Sequence, residues 1–368
     1  MDAKEKYIEF YPGHWLYNAG VIGFLQSLED IEKKEMKDYI QNDGRVILPI
    51  EIFTKLNSNQ RYFSENKVSS IYRNAFFRNY LNTDEDVKGF PVYIESLSQI
   101  DNGGKRCGIC CSDYMLPNES ISKLQKIGLG KFLDRISNFN IVFSKEIAPS
   151  INEFPNAFWN MSNSIEICPV CSFVLIHHQI PFTKLIDNSQ LFINAPSFHL
   201  MNELNRLLDK LIDKENASFK NLLAMSVIEF SVKAKVMMNA WASMDIEMVS
   251  IKRTKETVAI EFINLPYETI RIISNKRIAE LLSSIGEFKI LNLVIDNKWN
   301  DLVELGYRIL KIAMKSSIGS EDRDFLYKTF YTEANHDFRN LKQLANKILK
   351  LYALIEERTN LKKHEYIK

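Results

Sequence analysis

The sequence predicts an α+β protein in two parts: a mixed N-terminal domain over residues 1–196, and a helix-dominated region over residues 197–368 with a β-hairpin inserted at 246–265. Three observations predict it. Cysteines occur as two C-x-x-C pairs, both before residue 196. Apolar residues recur at helical spacing through most of the chain after residue 197. Two adjacent runs, 246–253 and 257–265, alternate in the strand period instead. At 368 residues the chain is long enough for two domains, and with 46% hydrophobic residues each can bury a core.

In chain order, residues 7–17 are rich in aromatics around a Pro12-Gly13 turn. Asn18 is expected to cap a helix running to about residue 31, with Val21, Ile22, Leu25 and Leu28 on its apolar face. Residues 46–50 form a short strand candidate. Residues 67–81 read as a helix carrying aromatic and basic positions. Residues 121–136 read as one helix. In the second part, 198–212 is strongly amphipathic and 219–244 reads as a long buried helix. The segments 299–314, 323–332 and 337–357 are the clearest helices after Pro266.

The first pair is Cys107-Gly-Ile-Cys110 with Cys111 adjacent; the second is Cys168-Pro-Val-Cys171. Two such knuckles present four thiolates tetrahedrally to one ion, so Cys107, Cys110, Cys168 and Cys171 are expected to hold a structural Zn2+. Gly108 and Pro169 suit the tight turns. The other readings of these residues are buried thiols or a redox pair, and Cys111 is either a substitute for Cys110 or free. Four thiolates leave no open position on the metal, so a catalytic zinc is not expected. His177 and His178 follow the second knuckle and are read as structural.

No phosphate-binding glycine loop, nucleophile elbow or H-E-x-x-H motif is present, and the acidic residues are scattered. A nuclease built on His336, Glu333 and Asp337 would need more carboxylates nearby. The chain is therefore expected to bind rather than catalyse. The net charge of +1 excludes a uniformly basic nucleic-acid binder and leaves local patches. Residues 55–78 hold Lys55, Arg61, Lys67, Arg73 and Arg78 against Glu65, interleaved with aromatics, a pattern that fits backbone contact plus base stacking or an aromatic core. Gln99, Asn102, Gly103, Gly104, Lys105 and Arg106 lead into the first knuckle; they form a plain hairpin tip or a turn that approaches DNA closely with two cations. The charged N-terminus has no leader pattern and no run spans a bilayer, so a cytoplasmic protein without membrane contact is expected.

The block from Tyr11-Pro-Gly-His-Trp to Asn18-Ala-Gly-Val-Ile-Gly23, followed by the two knuckles in order, resembles the CXXC–CXXC family of CRISPR-associated proteins. The resemblance implies a large subunit of a type I-B Cascade, an antiviral surveillance complex, that binds RNA-guided target DNA and recognises the protospacer-adjacent motif. It implies as partners the backbone, handle-binding and small subunits, the crRNA, the target double-stranded DNA and a recruited helicase–nuclease. Members are usually longer, so this chain is expected to be a compact variant or to lack a terminal helical segment. A zinc-dependent nuclease or hydrolase and a purely structural scaffold are the competing expectations.

Overall fold

A computed structural model describes residues 6–58, 84–140, 161, 164–211, 218–233, 246–253 and 258–365. It is a mixed helix and sheet fold whose later part is helix-rich, as expected. The chain forms two compact units: Met1–Asn202 with Val249–Glu261, and Glu203–Met248 with Phe262–Lys368.

In the first unit, β1 (Tyr7–Phe10) pairs antiparallel with β2 (Val46–Pro49), Tyr7 opposite Pro49 and Phe10 opposite Val46. Helix α1 (Trp15–Glu32) starts three residues earlier than the expected Asn18 cap. His14 is the cap, its Nδ1 accepting from the Leu16 amide at 3.3 Å. Asn18 instead lies buried one turn in. Its amide group bonds the Gly13 N–H and carbonyl, both at 2.8 Å, and reaches Asn194 Oδ1 at 2.8 Å. It thus fixes the Pro12-Gly13 turn against a distant strand. Helices α2 (Ile52–Ser58) and α3 (Asp84–Leu97) follow. Strands β3 (Asp101–Arg106) and β4 (Asp113–Met115) make an antiparallel hairpin.

The single helix expected over 121–136 is two, α4 (Asn118–Lys126) and α5 (Gly130–Ile136). Gly128 breaks them apart at φ +88°, a conformation that glycine adopts without penalty. Strand β5 (Asn138–Asn140) pairs antiparallel with β6 (Ser164–Glu166), which leads into α6 (Pro169–Leu175). The short strands β7 (Thr183–Lys184) and β8 (Ser189–Asn194) follow, then α7 (Phe198–Leu211).

The two alternating runs are β9 (Glu247–Arg253) and β10 (Val258–Asn264). They do not form an isolated hairpin. Together with β7 and β8 they make one sheet of order β10-β9-β8-β7. β8 pairs with the edge of β9 that β10 leaves open and satisfies its backbone groups.

The core of the first unit is aromatic and centred on α6. Phe173 packs against Phe24 at 5.4 Å and Phe53 at 5.6 Å, both edge-on, and stacks on Phe90 at 6.2 Å. Tyr93 meets Phe132 edge-on at 5.2 Å. All six rings are essentially inaccessible, and edge-to-face packing of this kind adds to their burial energy.

The second unit contains α8 (Phe219–Lys233) and the helices α9 (Tyr267–Ile273), α10 (Lys276–Ile285), α11 (Phe288–Ile295), α12 (Trp299–Ala313), α13 (Ser320–Thr329) and α14 (Phe338–Glu365). Leu302, Ile309 and Ile312 on α12, with Leu341, Ala345, Ile348 and Leu351 on α14, are buried at helical spacing. Buried Glu287 accepts from the Tyr331 and Thr332 amides at 2.7 and 3.0 Å, closing the turn after α13.

Candidate metal centre and recognition hairpin

The first knuckle follows β3 directly. Cys107 N–H donates to the Ser112 carbonyl at 3.0 Å, and the Cys111 amide to the Cys107 carbonyl at 3.0 Å, so residues 107–112 turn back on themselves. The left-handed position of the turn is held by Cys111, at φ +57°, not by Gly108. Gly108 is required for a different reason. A Cβ there would lie 2.0 Å from Ile165 Cγ2, because the Gly108 amide bonds the Glu166 carbonyl at 2.7 Å. The knuckle is thereby stitched onto β6.

The second knuckle is the start of α6. Cys168 is the N-cap, its Sγ accepting from the Cys171 amide at 3.3 Å, and Pro169 takes the first helical position. Two tyrosines hold this stretch by its carbonyls. Tyr114 Oη donates to Ile167 O at 3.2 Å and Tyr93 Oη to Pro169 O at 2.7 Å.

These two turns bring Cys107, Cys110, Cys168 and Cys171 together with all four sulfurs within 4.8 Å of one another. Cys110 Sγ lies 3.8 Å from Cys168 Sγ. A tetrahedral ion with metal–sulfur bonds of about 2.3 Å has sulfur–sulfur edges of about 3.8 Å, so the residues fit a metal. Cys107 Sγ accepts from the Ile109 amide at 3.4 Å and the Cys168 amide at 3.3 Å. Amides aimed at sulfur favour thiolate over thiol. All four cysteines are free of disulfides, and three are buried while Cys110 is half-buried. Beside it a groove of about 670 Å³, lined by β1 and the β3–β4 hairpin, reaches Cys110, Cys168 and Cys171 and gives an ion a path in.

Hydrogen bonds from Cys110, Cys168 and Cys171 hold the Cys107 thiol far below the ordinary thiol range. Cys107 holds Cys110 up, but bonds from Cys168 and Cys171 outweigh it and bring Cys110 down to about 7. Cys168 and Cys171 are pushed well above the ordinary range, first by their hydrogen bonds to Cys107 and Cys110, and further by burial. Tyr17, on α1, has its phenol pushed well above the usual value by burial and then by the charge of Cys171 and the other three cysteines.

Cys111 is exposed, lies outside the four-sulfur cluster and holds the left-handed position of the turn. His177 and His178 are also outside it. Both are buried, and their Nδ1 atoms meet the Phe173 and Leu175 carbonyls at 3.0 and 2.6 Å. Burial pushes His177 down to about 4, so it is neutral in the core. Near the C-terminal helix, Asp337 is tied to Arg339 and His336 to the Phe330 carbonyl.

The β3–β4 hairpin carries the expected recognition residues. Gly103 and Gly104 lie at φ +130° and +79°, where the register shifts between Asp101 and Lys105. A Cβ on Gly103 would meet nothing, so this bulge within β3 is open; it is not the hairpin tip expected from the sequence, because the turn that joins β3 to β4 is the knuckle itself, with Arg106 opposite Asp113. Gln99 accepts from Ser120 Oγ. Asn102 lies on β3, its side chain outside the described residues. Lys105 pairs with Glu166, the residue that also receives Gly108, so only part of its charge faces outward. Arg106 is exposed and has no ion pair among the described residues. Arg61, Lys67 and Arg73, with the helix expected over 67–81, lie outside the described residues.

The sequence reading missed Tyr17, Tyr93, Tyr114 and the role of two glycines. A Cβ on Gly20 would come 2.8 Å from the Val174 carbonyl oxygen, and one on Gly23 would come 2.1 Å from that of His177. Only glycine lets α1 lie this close to α6. The spacing Gly20-x-x-Gly23 in a helical segment was the available signal.

Fold and site together define a protein whose two thiol knuckles brace a presented hairpin. Residues 135–183, which hold the second knuckle and α6, match the family model of CRISPR-associated protein (Cas_CXXC_CXXC). The match supports the family that the sequence resembles, over the stretch that carries the second knuckle. No curated protein and no solved structure matches the chain. Among the described residues no helix is long and apolar enough to cross a membrane.

Proposed function

We propose that this chain is the large subunit of a type I-B Cascade, binding RNA-guided target DNA in the cytoplasm and reading the protospacer-adjacent motif without catalysing a reaction. Zinc is the ion that four thiolates without an open position suit best, and its part is structural. The observation that carries the reading is the continuity of site and hairpin: the first knuckle is the turn that joins β3 to β4, so the ion would fix the end of the strand that carries Gly103, Gly104 and Arg106. A rigid base lets a bare glycine backbone and one guanidinium approach a groove edge at a set angle. Sequence along the rest of the target would be read by guide pairing. The crRNA, the other Cascade subunits and a recruited helicase–nuclease are the partners this role requires.

The test is Arg106→Ala in the assembled, guide-loaded complex. Target-duplex affinity should fall about tenfold, and the slope of log affinity against log salt should shrink by about one, with assembly unchanged. Lys105→Ala should do less, since Glu166 already engages that cation. Equal affinity and equal salt slope for wild type and Arg106→Ala would remove the hairpin from DNA recognition.

A further inference from the structure

The groove of about 670 Å³ in the first unit runs along a strand edge. Every residue from Lys6 to Tyr11 lines it, where a groove against a strand face would be lined by alternate residues. Strand β1 has one partner, β2, so its other edge is open. The register says which backbone groups lie there. The Ile50 amide donates to the Lys6 carbonyl at 2.9 Å, and Tyr7 stands opposite Pro49, which has no N–H. Alternation then turns the bonding groups of Lys6, Ile8 and Phe10 toward β2 and those of Glu9 away from it. A second strand reaches the same groove. In β4, the Ser112 carbonyl already accepts from Cys107, so the backbone of the next residue, Asp113, turns away from β3, and Asp113 lines the groove. Among the described residues, nothing outside their own strand pairs bonds the Glu9 or Asp113 backbone.

The walls between are apolar at Leu97, Ile100 and Val170, and Tyr7 and Tyr11, 53% and 55% exposed, stand on β1. The charged residues lining the groove are Glu9, Asp101 and Asp113 against Lys6. Lys6 is tied to Asp101 and Glu9 to Arg45, while Asp113 is exposed and has no ion pair among the described residues. Backbone groups along an open edge are a template for another strand. The surplus of carboxylates repels phosphate, and a second copy of β1 would bring its own Glu9 to the same place. We propose that this groove takes an extended, basic segment of a partner protein as an added strand on β1, with a lysine or arginine placed against Asp113. The surface is separate from the DNA reading of Arg106 and stands or falls without it.

The experiment uses the full chain and a short synthetic peptide of alternating valine and lysine as probe. Hydrogen exchange at the Glu9 amide should be fast in the free protein and slow about tenfold with the peptide, while the Ile8 amide, engaged by β2, is unmoved. Fluorescence titration should show saturable binding, about tenfold weaker for the alternating valine–glutamate peptide. Asp113→Lys, a change at an exposed position, should reverse that preference. Backbone N-methylation of alternate residues on the binding edge should abolish binding, and this readout needs no change in the protein. Equal binding of the N-methylated peptide would overturn the proposal, as would absence of saturable binding by the valine–lysine peptide. Slow exchange at Glu9 before any addition would also sink it. A slowing that grows with protein concentration would assign the edge to a second copy, and one independent of concentration to the chain's own residues. Protection of Glu9 by a single-stranded oligonucleotide in place of the peptide would assign the groove to nucleic acid and refute it equally.

Discussion

Of the two glycines that bring α1 close to the chain around α6, Gly23 has the less freedom. Its missing side chain leaves room for a backbone carbonyl, which cannot rotate away as a side chain can: the added Cβ would stand 2.1 Å from His177 O, against 2.8 Å from Val174 O at Gly20. Gly23→Ala is expected to destabilise the first unit by about 3 kcal/mol, at the upper end for overpacking, and Gly20→Ala by less. Urea denaturation of both variants checks the order; equal and negligible effects would mean that α1 can back away from α6. At this scale, the chemistry of the thiols was legible in the sequence because C-x-x-C spacing is covalent and short. The glycines were legible as a pattern but not as a contact, because their partner lies about 150 residues away in the chain. Asn18 was misread for a related reason. A polar residue before an apolar run has the composition of a cap, and only the fold shows that His14 already holds that place while Asn18 bonds across to Asn194.

The two knuckles act as a pair of elements, and their joint titration sets how the ion competes with protons. Metal ligation requires thiolates. In the metal-free protein Cys168 and Cys171 are held well above the ordinary thiol value, first by their hydrogen bonds to Cys107, so both carry protons at neutral pH. Cys107 lies far below that value and Cys110 at about 7, so both are largely ionised just above neutrality. Loading between about pH 7.5 and 8.5 therefore expels two protons. Apparent affinity should rise about 100-fold per pH unit there and fall equally on acidification, more steeply below pH 7 as Cys110 also gains its proton. Zinc competition titrations at three pH values read the slope directly; a slope of one proton or none would refute the shared-proton cluster. Among the elements, the helices expected over 198–212 and 299–314 are found at Phe198–Leu211 and Trp299–Ala313, whereas the last helix runs on to Glu365, past the expected 357. The 246–265 strands were found as strands, but their neighbour β8 was not, since strand pairing across some fifty residues leaves no local trace.

On the scale of the whole molecule, the ion would join two points 58 residues apart, Cys110 and Cys168. Closing a loop of that length removes unfolded-state entropy worth about 4 kcal/mol, a large share of the margin by which a domain is folded. The benefit falls on the first unit. Its aromatic core is organised around Phe173, two residues beyond Cys171, and Cys107 opens the turn that joins β3 to β4. The second unit has its own core in α12 and α14, with no cysteine after residue 171. Removing the metal should therefore split one melting curve into two. A chelator strong enough to strip a four-thiolate site should shift a first transition down by roughly 10 °C or more, and leave a second, helical transition where it was. Cys168→Ser should reproduce the shift without chelator. Differential scanning calorimetry with and without chelator decides it. A single transition unmoved by chelation, in a protein shown to carry zinc beforehand, would mean that the aromatic core holds the knuckles together unaided.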